Sequence, residues 1–265
     1  MRTLTTAQST ILSALDRATH LRVDIEDPDG SMQDVTNFEG LDFLDALTYE
    51  ADIDNPVGAF QIRLFREIDG LSLAPLMEGS TLNRTNAGSY APFLDVSRDV
   101  DFYCAVLEPG ATPSPSDWVK FAEGRIDDPE WGGRESRIVL NGRDPVGELN
   151  DTIIETISSY GGGSPLPEIE DVMQAILDAQ FGSGIWPLTV VGTPDFGIYE
   201  YELGHVSVLE ALKALADQQG WNLHWKWDAT ASPEGFYLTY YEPTRDAASL
   251  SGYAPDWTFG PDDYY

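Results

Sequence analysis

Hydrophobic and polar positions change period more than once along the chain. Residues Thr5 to Thr19 carry Ile11, Leu12, Leu15 and Ala18 at helical spacing, which predicts a short amphipathic helix over residues 1–19. From Leu21 to Asp27 the period drops to two: Leu21, Val23 and Ile25 share one face, Arg22, Asp24 and Glu26 the other. Pro28-Asp29-Gly30-Ser31 supplies turn chemistry, so a β-hairpin opens here. A second strand pair is expected over Phe43–Ile53 and Val57–Phe65, broken by Asp54-Asn55-Pro56, with Phe60, Ile62 and Leu64 on one face. The mixed stretch Gly70–Tyr90 reads as a long loop with short strands. Phe93–Leu107 reads as two further strands, and Pro109–Pro115 as a loop. Val119–Asp127 and Arg137–Arg143 predict another hairpin, joined through Pro129-Glu130-Trp131-Gly132-Gly133. Short strands at regular turns point to a β-barrel or sandwich over about residues 20–144.

After that the pattern turns helical. Pro145 sits where a first helical turn tolerates it, and a helix is expected from there to about Ile157. Gly161-Gly162-Gly163-Ser164-Pro165 reads as a flexible joint. Glu168–Gln180 carries Ile169, Val172, Met173, Ile176 and Leu177 on one stripe, with acidic residues at its start. Ser207–Gln219 is the clearest helix: Ser207 and Glu210 fit a capping box, Val208, Leu209, Leu212 and Leu215 form the stripe, and Gly220 stops it. Trp221–Trp227 and Phe236–Tyr241 follow as two alternating aromatic strands. The fold class is therefore α+β: an N-terminal barrel over 20–144, a small α+β domain over 145–245, and an extension over 246–265 that reads as the start of a further strand or a partner contact.

Composition sharpens this picture in two ways. Forty-two per cent hydrophobic and 11% aromatic residues provide for a packed core, and no stretch approaches a membrane span or a signal segment, so no membrane insertion is expected. Cys104 is the single cysteine, which rules out an intrachain disulfide and suits folding in a reducing cytoplasm. Charge is the unusual feature: 45 acidic residues face 15 basic ones, for a net −30, and lysine is confined to Lys120, Lys213 and Lys226. Such a surface repels phosphate and excludes a nucleic-acid reader. It suits either adaptation to high salt or a surface that DNA slides past without sticking.

Candidate chemistry is sparse. His20, His205 and His224 lack metal-ligand spacing, and no nucleophile elbow or phosphate loop is present. Asp27-Pro28-Asp29-Gly30 fails the calcium-loop pattern, because Ile25 and Thr36 would occupy its first and twelfth positions. Asp127 and Asp128 are adjacent on a strand and would point to opposite faces rather than act as an acid–base pair. No catalytic site, metal or cofactor is nominated, and the chain is not expected to be an enzyme. The aromatics Trp221, Trp225, Trp227, Phe236, Tyr237, Tyr240 and Tyr241 read as a sheet with one face on the Ser207–Gln219 helix and the other free for a partner or a sugar.

One ordered set of motifs goes further. Asp117-Trp118-Val119-Lys120-Phe121-Ala122-Glu123-Gly124-Arg125-Ile126-Asp127-Asp128-Pro129-Glu130-Trp131 runs on through Arg137-Ile138-Val139-Leu140-Asn141-Gly142-Arg143-Asp144 to Leu149-Asn150-Asp151-Thr152-Ile153-Ile154-Glu155. Val206-Ser207-Val208-Leu209-Glu210-Ala211-Leu212 later leads through Ala216-Asp217-Gln218-Gln219-Gly220-Trp221 to Tyr240-Tyr241-Glu242-Pro243. In order and spacing this resembles the baseplate-hub (minor tail protein) family of tailed phages.

The resemblance implies a virion structural protein, assembled in the host cytoplasm into the tail tip. Its partners would be copies of itself in a ring, typically a homotrimer, a distal tail or tail-tube protein, other tail-tip proteins, and genomic DNA passing through without specific binding. The family carries two tube-forming barrels per chain, whereas here the residues allow one, so either a second barrel is missing from the chain or a neighbouring subunit supplies the partner strands. Partner-interface candidates are Trp131, Trp225, Trp227, Tyr241, Tyr264 and Tyr265, and Asp127 and Asp128 are candidates for a channel lining. A tail-tip receptor- or carbohydrate-binding module and a distal tail protein are the alternatives.

Overall fold

A computed structural model describes residues 18–50, 57–73, 76, 94–130, 136–228 and 235–243. These residues are mostly β with few helices. They divide into two compact units, the first holding residues 1–153 with 225–237 and the second 154–224 with 238–265. The helix expected over residues 1–19 lies outside the described residues up to position 17, and its last two residues belong to a strand.

The first unit is built from β1 (Ala18–Glu26), β2 (Met32–Asp34), β3 (Leu44–Glu50), β4 (Ala59–Phe65), the short pair β5 (Glu67–Ile68) and β6 (Leu71–Ser72), β7 (Asp99–Leu107), β8 (Val119–Glu130), β9 (Arg137–Arg143) and helix α1 (Val146–Asp151). Seven strands form one antiparallel sheet in the order β2-β1-β7-β8-β9-β4-β3. The hairpin between β1 and β2 is made as its sequence dictates. The Asp27 carboxylate accepts the Asp29 amide at 2.8 Å, Asp29 accepts that of Ser31 at 2.9 Å, and Gly30 takes φ 86°. Among the described residues of the stretch expected to hold two strands, one strand, β7, forms.

The sheet is strongly curled. Tyr49 on β3 and Phe102 on β7 are four strands apart, which a flat sheet would spread over about 19 Å. Their rings stand 6.1 Å apart, and Phe60 on β4 is 5.0 Å from Phe102. The concave face holds Val23, Ile25, Phe60, Ile62, Leu64, Val100, Phe102, Ile126, Ile138 and Leu140, all buried in one cluster. Register shifts at Leu44/Ala46, Phe102/Tyr103 and Ile126/Asp128 add the extra twist that curling requires. Among the described residues nothing pairs β2 with β3, so the sheet is open rather than a hydrogen-bonded barrel.

Two glycines permit the curl. A side chain at Gly142 would collide with the Phe60 ring and the Arg125 carbonyl, and one at Gly124 with the same ring and the Arg143 carbonyl. Phe60 thus lies directly on the backbone of β8 and β9. Beyond β9 the expected long helix ends early, at Asp151, with Thr152 as an extended C-cap. The β-branched run Thr152-Ile153-Ile154 favours a strand, β10 (Ile153–Ile154).

In the second unit the Ile154 carbonyl accepts the His205 amide at 2.7 Å. β11 (Ser158–Tyr160) pairs with β13 (Tyr201–Leu203), α2 spans Ile169–Phe181, and β12 covers Leu188–Val191. The glycine tract expected to be a flexible joint is a held turn instead: φ is 99°, 76° and 101° at residues 161–163, and Gly162 donates to the Ile198 carbonyl at 3.2 Å. β14 (Val206–Ser207) leads into α3 (Val208–Gln219), whose capping box forms both ways at 3.1 Å between Ser207 and Glu210. Gly220 closes the helix in the left-handed region. β15 (Asn222–Asp228) and β16 (Gly235–Tyr241) follow, with β12 parallel to β16 from Leu188 opposite Leu238 to Val191 opposite Tyr241. Trp221, Leu238 and Tyr240 are buried, and the Tyr240 hydroxyl donates to Gln219 at 2.7 Å, which gives the aromatic sheet the helix-packed face its alternation predicts.

Replacing Gly142 by Ala is expected to lower stability by about 3 kcal/mol, since backbone and a buried ring must both move. At Gly147, where the three atoms nearest a new Cβ all belong to the Arg143 side chain at 3.3–3.4 Å, Ala should stay within about 1 kcal/mol of wild type. Urea unfolding midpoints of the two variants test the contrast.

Candidate functional site

The convex face of the first unit carries charge in rows. Asp34, Asp24, Asp101 and Glu123 are cross-strand neighbours on β2, β1, β7 and β8. Like charges placed so would repel, and two shared cations resolve the conflict. Arg22 grips Asp24 through Nε and Nη2 at 2.7 and 2.6 Å and lies 3.5 Å from Asp34. Lys120 Nζ is 2.6 Å from both Asp101 and Glu123. Between them the Tyr103 hydroxyl donates to Asp101 at 3.0 Å, and the Arg22 guanidinium stands 5.3 Å over its ring.

Burial sets the proton affinities in this row. Asp24 is 2% exposed, and burial pushes its carboxyl up even though the Arg22 hydrogen bonds pull it down. Arg22 is raised by that same hydrogen bond, so the pair is intact and the cost falls on the more buried partner. Glu123 is pushed up by burial in the same way, against the pull of Lys120.

A second set of contacts fastens α1 to the sheet. The register shift between Ile126 and Asp128 makes Asp127 the extra residue of a bulge and brings it to Arg143. Arg143 Nε and Nη2 donate to Asp127 at 2.7 and 3.2 Å, and Nη1 and Nη2 to Asp151, the last residue of α1, at 3.0 and 2.7 Å. The guanidinium holds the Asp151 carboxyl below its usual range. The next residue faces the other way: Asp144 is 4% exposed, and its Oδ2 accepts the Gly58 amide at 2.8 Å. Burial pushes Asp144 up to about 7, opposed by the amides of Gly58, Val146 and Gly147. Tyr49, beside Gly58, is raised to about 12 by burial and by the Asp144 charge.

Of these groups, Asp101, Lys120, Glu123, Asp127, Arg143, Asp144 and Asp151 line a groove of about 560 Å³ whose walls come from β1, β2, β7, β8, β9 and α1. Eight carboxylates and three cations face it: Lys120, Arg125, which donates to Asp99 at 2.9 Å, and Arg143. Among the described residues no cluster of three or more His, Cys, Asp or Glu could hold a metal ion.

Among the described residues singled out from the sequence, Asp127 alone lines this groove. Asp128 is exposed on β8 opposite Asn141. Trp225 is half-buried and stacks on Phe236 at 6.4 Å with 15° between the planes. Trp227 is on β15, with its side chain outside the described residues, as are Trp131, Tyr264 and Tyr265 entirely. Tyr241 is half-buried on β16 and accepts from Asn222 Nδ2 at 3.5 Å. Sequence reasoning missed Asp24 and Asp144 as buried acids and Lys120 as the half-buried cation shared by two carboxylates. Arg143 and Asp144 stood inside the quoted motif, but only the register shows that the first is a clamp and the second a buried acid.

Because its folded carboxyl titrates at about 7 against an ordinary 3.8, Asp144 favours the fold when protonated. That contribution is fully present below 3.8 and is lost as pH rises through 7. Asp144→Asn should match wild type in thermal unfolding near pH 4 and exceed it at pH 8. Parallel losses in both proteins between those pH values would contradict the assignment.

No protein-family model matches the chain, and no curated protein does. Among solved structures it is similar to a 43 kDa tail protein of prophage MuSo2 from Shewanella oneidensis, 14% identical, with a TM-score of 0.49 and coverage of 83% of this chain and 53% of that one. A tail protein from Neisseria meningitidis MC58 is also 14% identical, with a TM-score of 0.47 and coverage of 83% and 50%. A type VI secretion system component of E. coli, described as structurally similar to T4 bacteriophage tail proteins, is 8% identical, with a TM-score of 0.43 and coverage of 88% and 48%. The chain spans about half the length of each of these proteins.

Proposed function

We propose that the chain is a structural protein of a virus-like tail tip, a baseplate-hub subunit that acts by assembling into a ring between tail tube and tip. The observation that carries this reading is the pair of open margins on the curled sheet. β2 covers only Asp24, Ile25 and Glu26 of β1, so Ala18–Val23 presents an unpaired backbone row among the described residues. β3 presents another at the far side. Open edges of this length invite strand addition, and neighbours in a ring would close the sheet into the expected barrel.

The charge supports the same reading. At net −30 the surface offers passing DNA few ion pairs. Several basic side chains are committed to carboxylates: Arg22, Lys120, Arg125, Arg137 and Arg143 all make ion pairs. A homotrimer, a tube-protein partner, a DNA-lining role for Asp127 and Asp128, and salt adaptation belong to this proposal. So does the absence of catalysis. A carbohydrate-binding module would draw on Trp225 and Phe236, but these rings are half-buried and stacked on each other.

Leu21→Lys tests the margin, because Leu21 is 41% exposed on the uncovered part of β1 and a charge there discourages strand addition. The variant should melt like wild type yet fail to form the ring in sedimentation velocity and drop out of purified particles. A wild-type chain absent from particles, or a variant that assembles normally, would overturn the proposal.

A further inference from the structure

We infer that an exposed apolar patch of the second unit, formed by Leu166, Phe196 and Tyr199, docks a partner protein whose matching surface is apolar and rimmed by lysine or arginine. The three side chains are 40%, 42% and 78% exposed. Backbone contacts gather them at one junction. The Ile198 amide donates to the Pro167 carbonyl at 2.8 Å, the Gly162 amide to the Ile198 carbonyl at 3.2 Å, and Glu168 bridges to Gly197. Leu166 lies over Gly197, where an added Cβ would stand 3.1 Å from that of Leu166. Ile198 is buried, while Phe196 and Tyr199 on either side of Gly197-Ile198 stay in solvent. Apolar side chains on a backbone held this way lose little freedom on docking, and tyrosine and phenylalanine are enriched where proteins meet.

Charge selects the occupant. Glu168, Asp195, Glu200 and Glu202 flank the three side chains along the chain, and all four are exposed. From residue 144 to residue 212 the sequence contains no lysine and no arginine. The convex face of the first unit is built differently, since Arg22, Lys120 and Arg143 there each serve two carboxylates. Crowding is already felt at the start of α2, where burial, and then the neighbouring Glu168 and Asp171, push the Glu170 carboxyl up.

A partner that covers the apolar side chains also takes water from these carboxylates, and cations on its own rim offset that cost. The same charge turns away nucleic acid and anionic lipid. A two-fold contact of the patch with its own copy would set acid against acid, because this stretch has no basic side chain to offer. A different protein with a basic rim satisfies both the apolar and the charged requirement. The inference does not rest on ring closure, which concerns the strand margins of the first unit.

Amide NMR of the whole chain, titrated with a blocked Leu-Lys-Lys-Leu-Leu-Lys-Lys-Leu peptide, tests it. Two controls replace every leucine by serine or every lysine by glutamate. The leucine–lysine peptide should give saturable shifts at residues 166–168 and 195–202 and bind at least about tenfold tighter than either control. A Phe196→Ser, Tyr199→Ser double variant should bind it about tenfold more weakly. Glu200→Lys with Glu202→Lys, which leaves the apolar side chains in place, should weaken it about fivefold and flatten its salt dependence. Leu21→Lys should bind like wild type, which separates this test from that of the ring. Equal binding of the serine peptide would mean attraction by charge alone, and equal binding of the glutamate peptide apolar adhesion alone. Shifts confined to other residues would place the contact elsewhere, and a wild-type dimer that Phe196→Ser, Tyr199→Ser separates in sedimentation velocity would assign the patch to a second copy. Each of these four results overturns the inference.

Discussion

The Phe60 ring occupies the volume that side chains at Gly124 and Gly142 would need, and it rests on the main chain of two adjacent strands. That contact lets β4 approach β7 across the concave face and places the rings of Phe60 and Phe102 within 5.0 Å. A sheet held at this curvature accumulates strain along its hydrogen-bond ladders, and the register shifts at residues 102/103 and 126/128 absorb it. The second shift also delivers Asp127 to Arg143. Core packing and the charged groove are thus two results of one steric fact.

Electrostatics on the convex side follows a rule of sharing. Each cation in the rows serves two carboxylates, so charge is locally lowered without being cancelled, and the surface stays acidic. Where water is excluded the deficit appears as raised proton affinity, at Asp24, Glu123 and most strongly Asp144. A lattice of this kind favours the native register, since a slip of one residue would turn each carboxylate to the opposite face from the cation it shares.

Much of the architecture could be read from periodicity alone. Alternation located β1, β4, β8, β9, β15 and β16, and the Ser207 and Glu210 pair marked the start of α3 because a capping box is a local device with local residues. What escaped depends on long-range register. Ala18 and Thr19 fitted a helical stripe, yet pairing with Leu107 and Val106 draws them into β1. The helix after Pro145 was overextended because the preference of Thr152, Ile153 and Ile154 for extended backbone competes with it. For the site, Asp127 was legible as a strand residue, but its turn toward Arg143 comes from a bulge that no alternation encodes. Asp144 looked like one acid among 45. The tryptophan and tyrosines at 131, 264 and 265 lie outside the described residues.

Lys120 sits with its ammonium between two carboxylates and its side chain only 19% exposed, the aromatic ring of Phe236 5.9 Å away. An amine held in this way is protonated and shielded, and therefore a poor nucleophile. Acylating reagents and amine-directed cross-linkers would pass it by, so chemistry that rewrites the outer charge of the protein would leave the lattice beneath it untouched.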